Sequence, residues 1–112
     1  MSINYSNYEF TDPISANNWY PLPQAGIYAV QIYSVYVKPR IYRVIYFGQT
    51  HDFAERGIID SHHKLDCFLR NAGTIDGIYI STYAMPNSTE YQRKTIESQL
   101  IREWKPECND QI

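Results

Sequence analysis

Cysteine is scarce: Cys67 and Cys108 are the only two in 112 residues, far apart and without a CxxC spacing. That excludes a disulfide-framework mini-protein. Long apolar runs are also missing. The longest uncharged apolar stretch, Gly26 to Val37, has 12 residues and includes Gln31 and Ser34, against about 20 needed to span a bilayer. No membrane helix is expected. The opening Met1-Ser2-Ile3-Asn4-Tyr5 lacks the basic residue and apolar core of a secretory signal or transit peptide. These features predict a cytoplasmic protein with reduced thiols and no membrane partner, and they leave its oligomeric state open. An excess of positive charge is lacking too: 10 Lys+Arg face 12 Asp+Glu, for a net charge of −2. A free-standing duplex binder ordinarily carries a basic footprint, so DNA binding by this chain alone is expected to be weak.

Tyrosine is abundant, with 11 Tyr beside 4 Phe and 2 Trp. With 44% hydrophobic and 20% charged residues, the composition is that of one globular domain able to bury a core. Residues 1–25, rich in Asn, Ser and Pro, read as an irregular extension lying on the domain, with Trp19 and Leu22 sealing an edge of the core. The domain proper is expected over residues 26–112. Gly26 to Val37 and Ile41 to Phe47 are β-rich runs around Lys38-Pro39-Arg40 and predict a long hairpin. Asp52 is positioned to cap a short helix over 53–59. Leu65, Phe68, Leu69 and Ala72 repeat at helical spacing before Gly73. Ile78 to Tyr83 predicts a third strand after the Asp76-Gly77 turn. A final helix follows, capped by Asn87 or Ser88, with Tyr91, Ile96, Leu100, Ile101 and Trp104 on its apolar side and Pro106 as its stop. The predicted fold class is α+β: a three-stranded antiparallel sheet flanked by helices, in the order ββααβα.

Several polar residues stand where chemistry is possible. Glu97 shares helical spacing with Leu100, Ile101 and Trp104, which places a carboxylate in line with the core-facing stripe. An ion pair with Arg93 four residues earlier is one reading, and a metal ligand or general acid/base is the other. Arg56, amid Phe53-Ala54 and Gly57-Ile58-Ile59, suits either a salt bridge to Asp52, Glu55 or Asp60 or a phosphate oxygen. His62 and His63, if helical, diverge by about 100°, so only one can address a given site. His63 and Cys67 have an i, i+4 spacing compatible with zinc, but His51 and Cys108 complete no recognised pattern.

Gly26-Ile27-Tyr28 followed by Tyr46-Phe47-Gly48 resembles the paired motifs of the GIY-YIG nuclease family. The context extends the resemblance: a small-residue turn after Gly48, then Asp52-Phe53 and Arg56, then Glu97 on the final helix, then Pro106 and Asn109. It spans Gly26 to Asn109, and within the family it is most similar to short stand-alone members with His-His-Lys and Asp-Cys, here His62-His63-Lys64 and Asp66-Cys67. The interval between the tyrosine elements is longer than usual. If Tyr28 and Tyr46 face each other, the hairpin centre falls at Val37 and the extra length lies in the hairpin.

The resemblance implies a metal-dependent endonuclease hydrolysing DNA phosphodiester bonds. It assigns Tyr28 or Tyr46 to activating water, with His62, ahead of His63, assisting. Arg56 would clamp the phosphate, and Glu97 would hold Mg²⁺ or Mn²⁺. Substrate contacts are implied at Gly48, Gln49, His63, Lys64 and Asn109, with Lys38 and Arg40 at the hairpin tip as auxiliary contacts. The alternative is a catalytically silent module of the same fold that binds nucleic acid or a protein partner. The acidic balance also fits a nuclease that relies on a targeting partner.

Overall fold

The computed structural model describes residues 2–33, 41–55 and 62–109. Three short strands open the chain: β1 (Ile3–Tyr5), β2 (Tyr8–Phe10) and β3 (Ile14–Ser15). Strands β4 (Gly26–Tyr33) and β5 (Tyr42–Thr50), helix α1 (Leu65–Ala72), a single 3₁₀ turn (Ile75–Gly77), β6 (Ile78–Ala84) and helix α2 (Glu90–Trp104) follow. The α+β class is as expected, but the sheet differs. The main sheet has four antiparallel strands in the order β3-β6-β4-β5, and β1 and β2 form a separate two-stranded ribbon. The expected helix over 53–59 falls largely outside the described residues, and 53–55 lie in a turn.

Central β4 is buried on both faces. By the period-two rule, Tyr28, Val30 and Ile32 line the face covered by α1, while Ile27, Ala29 and Gln31 line the face covered by α2 and the N-terminal ribbon. Between Val30 and Gln31 the pairing with β5 slips by one residue. This bulge puts both Ile45 and Tyr46 into the α1-side core. Tyr28 consequently lies opposite Gly48 and not Tyr46, which corrects the expected register. The hairpin tip with Lys38 and Arg40 lies outside the described residues.

Residues 1–25 were expected to be an irregular covering. Instead Tyr5 and Phe10 are fully enclosed in the α2-side core, and Tyr5 meets Phe47 and Trp104 edge to face. The Tyr5 hydroxyl donates to Gln31 Oε1 (2.5 Å), whose Nε2 donates to Ser81 Oγ (2.9 Å). A buried amide is thereby paired at both ends. Trp19 packs against the α1-side core as expected, but Leu22 is 58% exposed.

Helix α2 begins one or two residues later than a cap at Ser88 or Asn87 predicts. Thr89 is the cap: its Oγ1 accepts from Gln92 N (3.1 Å) and Gln92 Oε1 accepts from Thr89 N (2.9 Å), a capping box. Asn87 holds a left-handed φ of 62° in the preceding turn. Leu100 is buried, whereas Tyr91 on the supposed apolar side is 80% exposed. After Trp104 the chain turns through Lys105 and Pro106 and runs back along β5. There Cys108 N donates to Ile45 O (2.8 Å), and the Asn109 amide accepts from Phe47 N and donates to Phe47 O, both at 2.9 Å. Cys67 and Cys108 form a disulfide joining α1 to this segment. Neither the expected free thiols nor the His63–Cys67 zinc pair describes them.

Candidate functional site

The hydroxyl of Tyr28 and Nε2 of His62 lie 2.9 Å apart. The other ring nitrogen of His62, Nδ1, accepts from the Lys64 main-chain N–H at 2.9 Å. Nδ1 therefore carries no proton, the proton of the imidazole sits on Nε2, and Nε2–H donates to the Tyr28 oxygen. His62, His63 and Lys64 lie in the turn before α1. The two imidazoles do not diverge as they would on a helix: they stack, with centroids 4.6 Å apart and planes at 15°. The half-buried His62 is the one at Tyr28, and His63 is exposed.

Tyr46 completes the group. Its ring meets His62 edge to face at 4.9 Å and lies 6.0 Å from the ring of Tyr28. Phe68 of α1 closes the floor, 5.4 Å from Tyr46 and 5.0 Å from His62. Gly48 permits this packing, because the Tyr28 ring crosses directly above it. A Cβ at position 48 would stand 2.3 Å from both Cζ and the hydroxyl oxygen of Tyr28.

One residue further along, the main-chain N–H of Gln49 lies at the Glu97 carboxylate. In an antiparallel edge strand, alternate residues turn their N–H and C=O outward. On β5 these are Ile45, Phe47 and Gln49, met by Cys108, Asn109 and Glu97 respectively. Glu97 is half-buried, and burial raises its pKa above the usual carboxylate range, against the smaller opposing effects of Lys94 and the Gln49 N–H. The anticipated ion pair with Arg93 does not form. Arg93 instead donates from Nε to Gln49 Oε1 at 2.9 Å. Gln49 thus addresses Glu97 with its main chain and Arg93 with its side chain.

The structure brings together Tyr28, Tyr46, Gly48, His62 and His63, and sets Gln49 and Glu97 at the adjoining edge. The Asn109 amide is buried against Phe47, where it shapes the edge strand. Arg56, Lys38 and Arg40 lie outside the described residues. Among the described residues, no group of three or more His, Cys, Asp or Glu is gathered about a point. No family model, curated protein or solved structure matches this chain.

Sequence reasoning missed the engagement of Arg93 with Gln49 and Ser88, because helical spacing offered Glu97 as its partner. It also missed the pairing of Cys67 with Cys108. Their separation of 41 residues carries no local signal.

Proposed function

We propose that the chain is a metal-dependent phosphodiesterase that cuts DNA in the manner of the GIY-YIG nucleases its motifs resemble. The observation that supports this most is the Tyr28–His62 contact, in which an imidazole N–H is aimed at a phenolic oxygen above a glycine. A donor at that oxygen stabilises negative charge on it. In its phenolate form, having released its own proton to solvent, Tyr28 is then suited to take a proton from an attacking water, with Tyr46 and Phe68 fixing the imidazole by packing on it. The water oxygen bonds to phosphorus as the bond to the leaving oxygen breaks; the proton of the water passes to Tyr28, and the leaving oxygen is protonated from solvent. Arg56, by the resemblance, neutralises the non-bridging oxygens.

Glu97 fits a hard, largely hydrated cation. It is a half-buried carboxylate whose charged form is disfavoured by burial and which makes no ion pair among the described residues. A single carboxylate, with waters and phosphate oxygens as the other ligands, is a usual way to hold Mg²⁺ or Mn²⁺. When bound, the cation supplies charge stabilisation at the phosphate and leaving group.

The test is incubation of the protein with supercoiled, linear and branched DNA, with and without Mg²⁺ or Mn²⁺, alongside Glu97→Gln and Tyr28→Phe. Cleavage should require the metal, disappear in Glu97→Gln, and fall by about 10²–10⁴-fold in Tyr28→Phe, the usual range for a lost acid/base group. Binding without turnover under every condition would instead identify a silent module of the same fold.

A further inference from the structure

Arg93 is a buried cation without a counter-ion among the described residues. It is only 5% exposed. Nε donates to Gln49 Oε1 (2.9 Å), and Nη1 donates to the Ser88 carbonyl (2.7 Å) and Ser88 Oγ (3.1 Å). All three acceptors are neutral. Among the described residues Arg93 makes no ion pair, and Nη2 with its two N–H groups meets no acceptor. Burying an ionised group is costly unless an opposite charge and a full set of hydrogen bonds compensate it, and here both are incomplete.

The same side chain lines an open cavity of about 380 Å³, together with Gln24, His51, Asn87 and Ser88. Among the described residues, no carboxylate lines it. On its wall, His51 pairs with Glu55 at 2.6 Å. The cavity lies at the N-terminal end of the 15-residue α2, where the aligned peptide dipoles add positive potential. A guanidinium that lines such a cavity, and whose Nη2 meets no acceptor among the described residues, suits a tetrahedral oxyanion.

We propose that this cavity is a phosphate-binding subsite that takes a backbone phosphate of a polynucleotide, next to the phosphate held at Tyr28 and Glu97. The inference rests on the phosphodiesterase reading above. Arg93 and Glu97 are separated by one turn of α2, about 5–6 Å, and both engage Gln49. A strand passing Glu97 therefore runs along the wall that holds Arg93. The subsite fixes the register of the strand, and it supplies a charge contact that the acidic chain otherwise has few means to make.

The test follows ¹⁵N resonances of the Arg93 guanidinium, Gln49 and Ser88 during titration with inorganic phosphate and with a short DNA duplex. Ca²⁺ replaces Mg²⁺ to prevent turnover. Both titrants should shift these signals, and DNA should displace the phosphate. Arg93→Gln should weaken DNA binding about tenfold and lower the slope of log affinity against log salt by about one phosphate's worth. Absent shifts in the wild type, or unchanged affinity and slope in a folded Arg93→Gln protein, overturn the subsite. Shifts with phosphate but not with DNA overturn the polynucleotide assignment and leave a free-phosphate site. The wild-type titration decides the matter even where the variant fails to fold. Failure of cleavage in any metal would sink the phosphodiesterase reading while leaving the binding result intact, so the two failures are distinguishable.

Discussion

Glu97 is pulled in two directions: burial favours its neutral form, while Lys94 and the Gln49 N–H favour the ion. Burial dominates, so the folded protein holds this proton more tightly than the unfolded chain does. For a carboxylate raised above its ordinary value of 4.5, the stabilising share of protonation is complete below that value and lost as pH rises through the folded-state pKa. Ionising this side chain in the folded protein is therefore a cost. Glu97→Gln, whose carbonyl still accepts from Gln49, should be more stable than wild type at pH 7, and the difference should vanish in acid. Thermal unfolding across pH measures this, and a variant less stable at pH 7 would contradict it. Added Mg²⁺ should raise the melting temperature of the wild type but not of the variant, since a cation at the carboxylate offsets the same penalty. The residues at this scale were partly legible. Tyr28, Tyr46, His62 and Glu97 announced themselves by motif and helical spacing. The commitment of Arg93 to Gln49 and Ser88 depends on a β-strand terminus and a turn that no local pattern connects.

Strand pairing explains why the tyrosines meet as they do. The hairpin itself was readable from its two β-rich runs, but the bulge beside Val30 was not, since a one-residue slip is a compromise between two packed faces and not a property of either run. Because of that slip the Tyr28 ring lies over Gly48. Gly48→Ala would drive a methyl into the ring and hydroxyl of Tyr28, forcing a rearrangement worth about 1–3 kcal/mol. The contact with His62 should be lost with it. Denaturant unfolding gives the stability change, and the His62 ring signals in NMR report the contact. Retention of the wild-type His62 environment would show that the ring is not held where the structure places it. The start of α2 differs from the caps that the sequence offers for a related reason. Asn87 and Ser88 have the chemistry of caps, but Asn87 is held in a left-handed turn and Ser88 receives Arg93, so the role falls to Thr89.

Across the whole molecule, the boundary expected at residue 26 separates parts that share one core. Composition made residues 1–25 resemble an appendage, because three strands of two or three residues each are too short to show an alternating pattern. Their anchors are single side chains. Tyr5 is enclosed among Phe10, Phe47 and Trp104, and its hydroxyl satisfies the buried Gln31 amide. Two substitutions separate these contributions. Tyr5→Phe keeps the ring but leaves Gln31 Oε1 without that donor, which should cost about 1–3 kcal/mol. Tyr5→Ala also opens a cavity against Phe47, and the total should reach about 3–5 kcal/mol. Equilibrium unfolding of both variants supplies the comparison. If the N-terminal ribbon were an appendage, both would unfold at the wild-type midpoint; if it belongs to the core, both should remain single cooperative transitions at lower denaturant, Tyr5→Ala well below Tyr5→Phe. The consequence reaches the candidate site. Phe47 has Tyr5 against its ring and Asn109 against its main chain, so loosening the ribbon releases one side of the strand that presents Tyr46 and Gly48. Tyr5→Ala should therefore broaden the His62 signals, and Tyr5→Phe should leave them sharp.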